Sequence, residues 1–338
     1  MSSRRVSPAI GLIGSMLILC CGATNAWAAR DADAPAAACA GLKVATGAAG
    51  KGYSKLFADM KAVCGAAVPL CEVTTTGGLD NLNALSTKEA DVGIAQVDTW
   101  ATMRSGDENI ANLQGVMALN SNYLHVVTAS RGMRVPGAKK WGGLSKEDDQ
   151  VVVIQRFSEL RGRRVALVGS AQLLGRQLDR ALNYKMDLVD VDTDKAAFDM
   201  VRSGAVAATL SVSGWPSGSL KELKQDSGLT LVPFDATSPN SQLSVRTINY
   251  RGLGVYNNNA LAMPNVLFTR PFKGDKASDV ARLKACLVEK LEELQEGSFE
   301  PGWNEIRDTG ATFDVPRFAP ATPAARPVAD GSGAKKKS

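Results

Sequence analysis

Residues 73–98, VTTTGGLDNLNALSTKEADVGIAQVD, constrain the fold more than any other stretch of this chain. The β-branched run from Val73 to Thr76 suits a pleated strand, and Gly77-Gly78 breaks it. Leu79, Leu82 and Leu85 then recur at a spacing that keeps one face of a helix apolar. Val92, Gly93, Ile94 and Ala95 make a second, short apolar strand, followed at once by Gln96 and Asp98. Strand, tight turn, helix, strand is the repeating unit of an α/β sheet.

In open α/β sheets small ligands lie outside the carboxyl ends of the strands, where turn backbone and helix N-termini offer N–H groups. Thr75, Thr76, Gly77 and Gly78 fall at one such end, and Gln96, Val97 and Asp98 at another. A purely structural role is the alternative for each. A Thr-Gly-Gly turn also ends a strand and starts a helix, and Asp98 also suits an N-cap.

The rest of the chain repeats the alternation. A strand at 42–46 leads through the glycine-rich turn at 47–52 into a helix marked by Tyr53, Leu56, Phe57, Met60 and Val63. That turn is not a phosphate loop. Ala45 stands five before Gly50 where a glycine is needed, and Gly52 follows Lys51 where Ser or Thr is needed. Leu124 to Thr128 reads as the strand closing a first lobe. Residues 130–155, with five glycines and prolines between Gly132 and Gly143, read as a connector carrying one added strand near Val151. Strands at 164–168, 188–191, 207–210 and 230–233 alternate with helices through Leu174 and Leu178 and through 195–203, which predicts a second, mostly parallel sheet covered on both faces. The Ser-, Asn- and Thr-rich stretch 235–259 reads as the return crossing, in which Arg246 and Arg251 could each pair with a carboxylate. An apolar strand at 261–269 and a long amphipathic helix marked by Val280, Leu283, Leu287, Leu291 and Leu294 complete the first lobe. Residues 316–338, Pro- and Ala-rich and ending in KKKS, are expected to be a disordered basic tail.

Composition narrows the setting. Arg4 and Arg5, the apolar run at 10–21 and Ala26-Trp27-Ala28 predict a cleavable signal peptide over residues 1–28, too short for a membrane span. The net charge of +5 comes mainly from the two ends, so neither nucleic acid nor an anionic membrane is an expected partner. Cys39, Cys64, Cys71 and Cys286 remain, an even number that suits two disulfides in an exported protein. The short turn between Cys64 and Cys71 favours joining those two, which leaves Cys39 with Cys286. No cysteine or histidine spacing suits a metal, and no cofactor motif is present. His125, the one histidine, lies in an apolar strand, a position that suits a structural histidine better than a catalytic one.

Three segments, VATGAAGKGYSKLFADM, TTGGLDNLNALSTKEADVGIAQVD and LHVVTAS, together with SELRGRRVALVGS and GWPSGSLKEL, resemble the TAXI-type solute receptors of TRAP transporters over most of residues 43–272. The resemblance implies a hinged, two-lobed α/β fold of the type II periplasmic binding protein kind, with lobe one at 38–129 and 257–315 and lobe two at 156–245. It implies a periplasmic, monomeric, non-enzymatic receptor that captures a small carboxylate-bearing or zwitterionic metabolite and delivers it to a TRAP-type membrane permease. On this reading Thr46, Gly47, Lys51, Tyr53, Thr76, Gly77, Asn81, Gln96 and Asp98 bind from lobe one, and Ser170, Gln172 and Trp215 from lobe two. Where the family tends to present Ser-Gly-Thr, this chain has Gln172-Leu173-Leu174, which removes two donors for a carboxylate. A binding module for a sensor kinase and an exported hydrolase are the alternatives.

Overall fold

The computed structural model describes residues 39–135, 139–140, 145–146, 148–311 and 313–319; the expected signal peptide and the end of the basic tail lie outside them. The chain runs β1 (Leu42–Gly47), α1 (Gly52–Cys64), β2 (Leu70–Thr74), α2 (Gly78–Ser86), β3 (Val92–Gln96), α3 (Val97–Met103), α4 (Glu108–Ala111) and β4 (Gln114–Ala129). After β5 (Met133–Val135), β6 (Lys139–Lys140), β7 (Ser145–Lys146) and β8 (Gln150–Val152) come β9 (Arg164–Val168), α5 (Ala171–Leu182), β10 (Asp187–Val191), α6 (Asp194–Ser203) and β11 (Ala208–Gly214). Then follow α7 (Gly218–Lys221), β12 (Leu229–Leu231), β13 (Ser244–Tyr250), β14 (Val255–Thr269), α8 (Asp275–Glu289), α9 (Leu291–Glu296) and a 3-10 turn, Pro301–Glu305.

One sheet of ten strands carries the fold, in the order β10-β9-β11-β4-β14-β3-β1-β2, with β12 added to β4 and β13 to β14. Each end is parallel: β1 pairs with β2 and β3, and β9 with β10 and β11. β4 and β14 lie antiparallel between the two ends. Both are long enough to serve two cores. Val116 and Met117 of β4 bury among Val44, Leu56, Met60 and Leu283, whereas Leu124 and Val126 bury among Val165, Leu167 and Leu178. In β14, Leu267 joins the first group, and Leu261 and Met263 join the second. The opposite faces carry Ala45, Leu82, Trp100 and Phe268 in the first half, and Val127, Phe198, Val201 and Ile248 in the second. The fold is therefore α/β in two halves, each a sheet with helices on both faces, joined through two continuous strands.

The first half does not end at residue 129, as the apolar run 124–128 suggests. Those residues pair with β11, Leu124 opposite Val212 and Thr128 opposite Ala208. Nor is 235–259 a crossing loop. Ser244–Tyr250 is a strand antiparallel to β14, with Thr247 opposite Asn259, and β14 itself makes the crossing. In the connector, β8 pairs with β5 as a separate ribbon. The long C-terminal helix breaks at Lys290 into α8 and α9.

Both disulfides join partners other than those the sequence favours. Cys39 is bonded to Cys71 and Cys64 to Cys286. Successive residues of a strand point to opposite faces, and in β2 it is Leu70, not Cys71, that packs in the same cluster as Cys64. Cys64 instead lies at the end of α1 against α8, and Cys39 precedes β1, whose Lys43 pairs with Cys71. The described start of the expected tail, residues 316–319, is held against the fold. Phe318 is buried and donates its N–H to the Gly115 carbonyl, while Val315 packs among Leu113, Val266 and Phe268.

Candidate functional site

Three strand ends of the first half converge. β1 ends at Gly47, whose φ of 91° places it in the left-handed region open to glycine, and a Cβ there would lie 3.3 Å from Gly77 Cα. β2 ends in the turn before α2, with Gly77 at φ 155°. β3 passes into α3 with no intervening loop, so Gln96 and Asp98 are fixed by a strand and a helix at once.

Several expected binding residues are occupied by neighbours. Thr46 donates to Glu72 Oε1 at 2.7 Å, and Ser54 donates to the same oxygen at 2.8 Å. Thr76 donates to the Asp80 carboxylate. Asn81, fully buried, accepts from Thr75 Oγ1 at 2.5 Å and donates to the Ile94 carbonyl at 2.7 Å, tying α2 to β3. Lys51 is exposed just ahead of α1. These contacts hold the turns in shape.

Gln96 and Asp98 differ. They are 2% and 4% exposed, and Gln96 Oε1 and Asp98 Oδ1 are buried with no hydrogen-bond partner among the described residues. A buried acceptor left unpaired costs about 1–3 kcal/mol. Burial drives the Asp98 carboxyl up to about 6, against the pull of its own and Thr99's N–H groups. The Asp98 charge is felt at Tyr53, whose hydroxyl is raised by burial, lowered by the hydrogen bond from Asn122 and raised again by Asp98.

Tyr53 leads to residues that the sequence analysis did not single out. Its hydroxyl donates to Asn265 Oδ1 at 2.8 Å and accepts from Asn122 Nδ2 at 2.9 Å. Asn265 Nδ2 donates in turn to Asn120 Oδ1 at 3.1 Å and Asn122 Oδ1 at 3.3 Å. This network sits where the halves meet. Asn265 pairs with Gln96, and beside it the β4–β14 register shifts between Pro264 and Val266. Pro264 has no N–H for the ladder, and Ser121 opposite it donates its N–H to Glu305 Oε2 at 3.2 Å. Amides at 120, 122 and 265 inside apolar strands were a signal available in the sequence.

From the second half, Ser170 precedes α5 without capping it, and Gln172 lies in its first turn. No hydrogen bond among the described residues joins either to the first-half strand ends. α5 reaches the first half one turn further on, where Gln177 Nε2 donates to Thr102 Oγ1 of α3. Trp215 follows β11 and donates its indole N–H to the Asn249 carbonyl at 3.1 Å. It lines a cavity of about 440 Å³ with Tyr123, Arg246, Asn304, Glu305 and Arg307. The 3-10 turn supplies one wall, and Trp215 and Pro216 after β11 with Arg246 of β13 the other, so the cavity spans both halves.

His125 is fully buried in β4. Its Nε2 is hydrogen-bonded to the Tyr250 hydroxyl at 2.8 Å, and that hydroxyl also accepts the Ser217 N–H. Burial lowers its pKa to about 4, against hydrogen bonds with the backbone of Ser211 and Tyr123. It is a neutral, bonded member of the second core. No group of three or more His, Cys, Asp or Glu that could hold a metal ion occurs among the described residues.

No family model matches the chain, and no curated protein matches it in sequence. Among solved structures it is similar to the substrate binding protein of an amino acid ABC transporter, at 13% identity over 75% of this chain and 94% of that chain, with a TM-score of 0.42. It is similar to an ancestral arginine-binding protein bound to arginine, at 14% identity over 75% and 92%, with a TM-score of 0.44. A third is an ABC transporter periplasmic binding protein from Brucella ovis with glutathione bound, at 15% identity over 76% and 73%, with a TM-score of 0.42. At these identities no residue's role passes from one protein to another.

Proposed function

We propose that the protein is a periplasmic solute receptor that takes a small carboxylate-bearing or zwitterionic metabolite between its halves and hands it to a TRAP-type permease, breaking no bond. The observation that carries this reading is the pair of buried, partnerless acceptors, Gln96 Oε1 and Asp98 Oδ1, at the strand end beside the crossing strands. Acceptors in such a place call for N–H donors on a ligand, and a cationic donor relieves the cost of the buried Asp98 charge. β4 and β14 supply the hinge, because bending two strands at a register shift moves one half as a body against the other. Gly47 and Gly77 let backbone approach the solute, with Tyr53 and Lys51 at the rim, and Ser170, Gln172 and Trp215 close from the second half.

Thermal-shift screening of the protein against amino acids and organic acids tests this. A ligand at a hundred times its dissociation constant should stabilise the fold by about 2.7 kcal/mol. The response should vanish in Gln96→Ala and Asp98→Asn. A response indifferent to both would remove the strand-end site, and no response across the panel would remove the receptor reading. Co-purification with a TRAP membrane subunit favours transport, and with a histidine kinase favours sensing.

A further inference from the structure

The cavity at the hinge is built from opposite charges. Arg246, on β13, and Arg307, just after the 3-10 turn, are both exposed and line it from opposite halves. Neither guanidinium has an ion pair or hydrogen bond among the described residues. Glu305 faces them. Its Oε2 is held by the Ser121 N–H at 3.2 Å and the Tyr123 hydroxyl at 2.8 Å, while Oε1 is buried with no hydrogen-bond partner among the described residues. Arg246 acts on Glu305 and Tyr123 through its charge without touching either. Trp215 supplies an aromatic wall and Asn304 a further polar side chain.

We infer that this cavity is a binding site for a small amino-acid-like zwitterion, its carboxylate held between Arg246 and Arg307 and its ammonium directed to Glu305. Two guanidinium groups with no partner match a carboxylate, with donors arriving from both sides. A carboxylate with one oxygen tied down and the other unbonded matches a single ammonium. Neither a dianion nor a plain amine satisfies all three charges. The rings of Trp215 and Tyr123 cover the aliphatic part between the charged ends. An occupant here touches the 3-10 turn of one half and the Trp215-Pro216 loop and β13 of the other, so it fixes the angle between them. This inference rests on the receptor reading for its idea of two halves closing on a solute, yet its residues are separate: only Trp215 belongs also to the proposed strand-end set.

Isothermal titration of the whole protein with L-2-aminobutanoate, 4-aminobutanoate, butanoate and butylamine tests the charge pattern at constant size. At least one of the two zwitterions should bind, with butanoate and butylamine weaker by about tenfold or more. Arg246→Ala and Arg307→Ala should each weaken the zwitterion by about tenfold or more, as expected when one side of a hydrogen-bonded charge pair is removed. Both arginines are exposed and make no hydrogen bond or ion pair among the described residues, so each variant should stay folded, Arg307→Ala at the parent melting temperature and Arg246→Ala losing only the charge attraction to Glu305. Glu305→Gln, which retains an acceptor for the Ser121 N–H, should lose the preference for zwitterion over butanoate. The inference is overturned if neither zwitterion binds, if butanoate binds as tightly, or if binding ignores both arginines. Binding lost in Gln96→Ala and kept in Arg246→Ala would overturn it while leaving the receptor reading standing.

Discussion

The hydroxyl of Tyr53 lies 2.8 Å from Asn265 Oδ1, so α1 is bonded to the strand that crosses between the halves. The same oxygen accepts from Asn122 on the other crossing strand. One phenol thus connects α1 to both crossing strands.

Tyr53→Phe keeps the ring and removes the hydroxyl, leaving Asn265 Oδ1 without a donor and Asn122 Nδ2 without an acceptor. The expected loss is about 1–3 kcal/mol, the usual cost of unpaired buried polar groups. Urea unfolding at neutral pH measures it, and an unchanged midpoint would show that the network does not bear on stability.

Asp98 makes stability fall with rising pH. Its folded pKa, about 6, lies above the ordinary carboxyl value of 3.8, so the folded state binds the proton more tightly than the unfolded state does. The folded state is favoured at pH 4, loses that advantage as pH rises to about 6, and stays lower above it. Asp98→Asn should therefore raise stability at pH 8 by about 2–3 kcal/mol and change it little at pH 4. Melting curves at the two pH values would refute this if the gain were equal at both.

His125 acts in the opposite sense. Its folded pKa, about 4, lies below the unfolded value of 6.5, so the unfolded state takes the proton first. The stability it confers is complete above pH 6.5 and is lost as pH falls to 4, by about 3 kcal/mol. His125→Gln should flatten the acid limb of the denaturation midpoint between those values. An acid limb equally steep in the variant would assign the loss to other groups.

The two disulfides should not count equally. Cys64–Cys286 closes a separation of 222 residues and Cys39–Cys71 one of 32. If the links act by limiting the unfolded chain, removing the longer one costs roughly 1–2 kcal/mol more than removing the shorter. Paired Cys→Ser variants, compared by urea unfolding, give the difference directly. Equal losses would mean that contacts in the native state, rather than chain freedom, set the value.

Local order was legible in the residues themselves. The apolar spacing of Leu82 and Leu85, the glycine pair before them and the short run at 92–95 state a β-α-β unit, because neighbours in sequence decide which face of a helix is apolar and where a strand must end. The even set of cysteines after residue 28, and the place of Gln96 and Asp98 at a strand end, followed from the same local patterns. Tertiary structure alone decided which cysteines meet, since Cys71 faces away from α1 only once β2 has paired with β1 and buried Leu70. It alone split β4 and β14 between two cores, because those strands pair across more than a hundred residues of sequence, and it alone showed Ser244–Tyr250 to be a strand, paired with its neighbour β14. The hinge cavity belongs there too. Arg246, Glu305 and Arg307 are ordinary polar positions in the sequence, and they face one another because a register shift beside Pro264 frees the Ser121 N–H, which Glu305 then binds, drawing the 3-10 turn against the crossing strand.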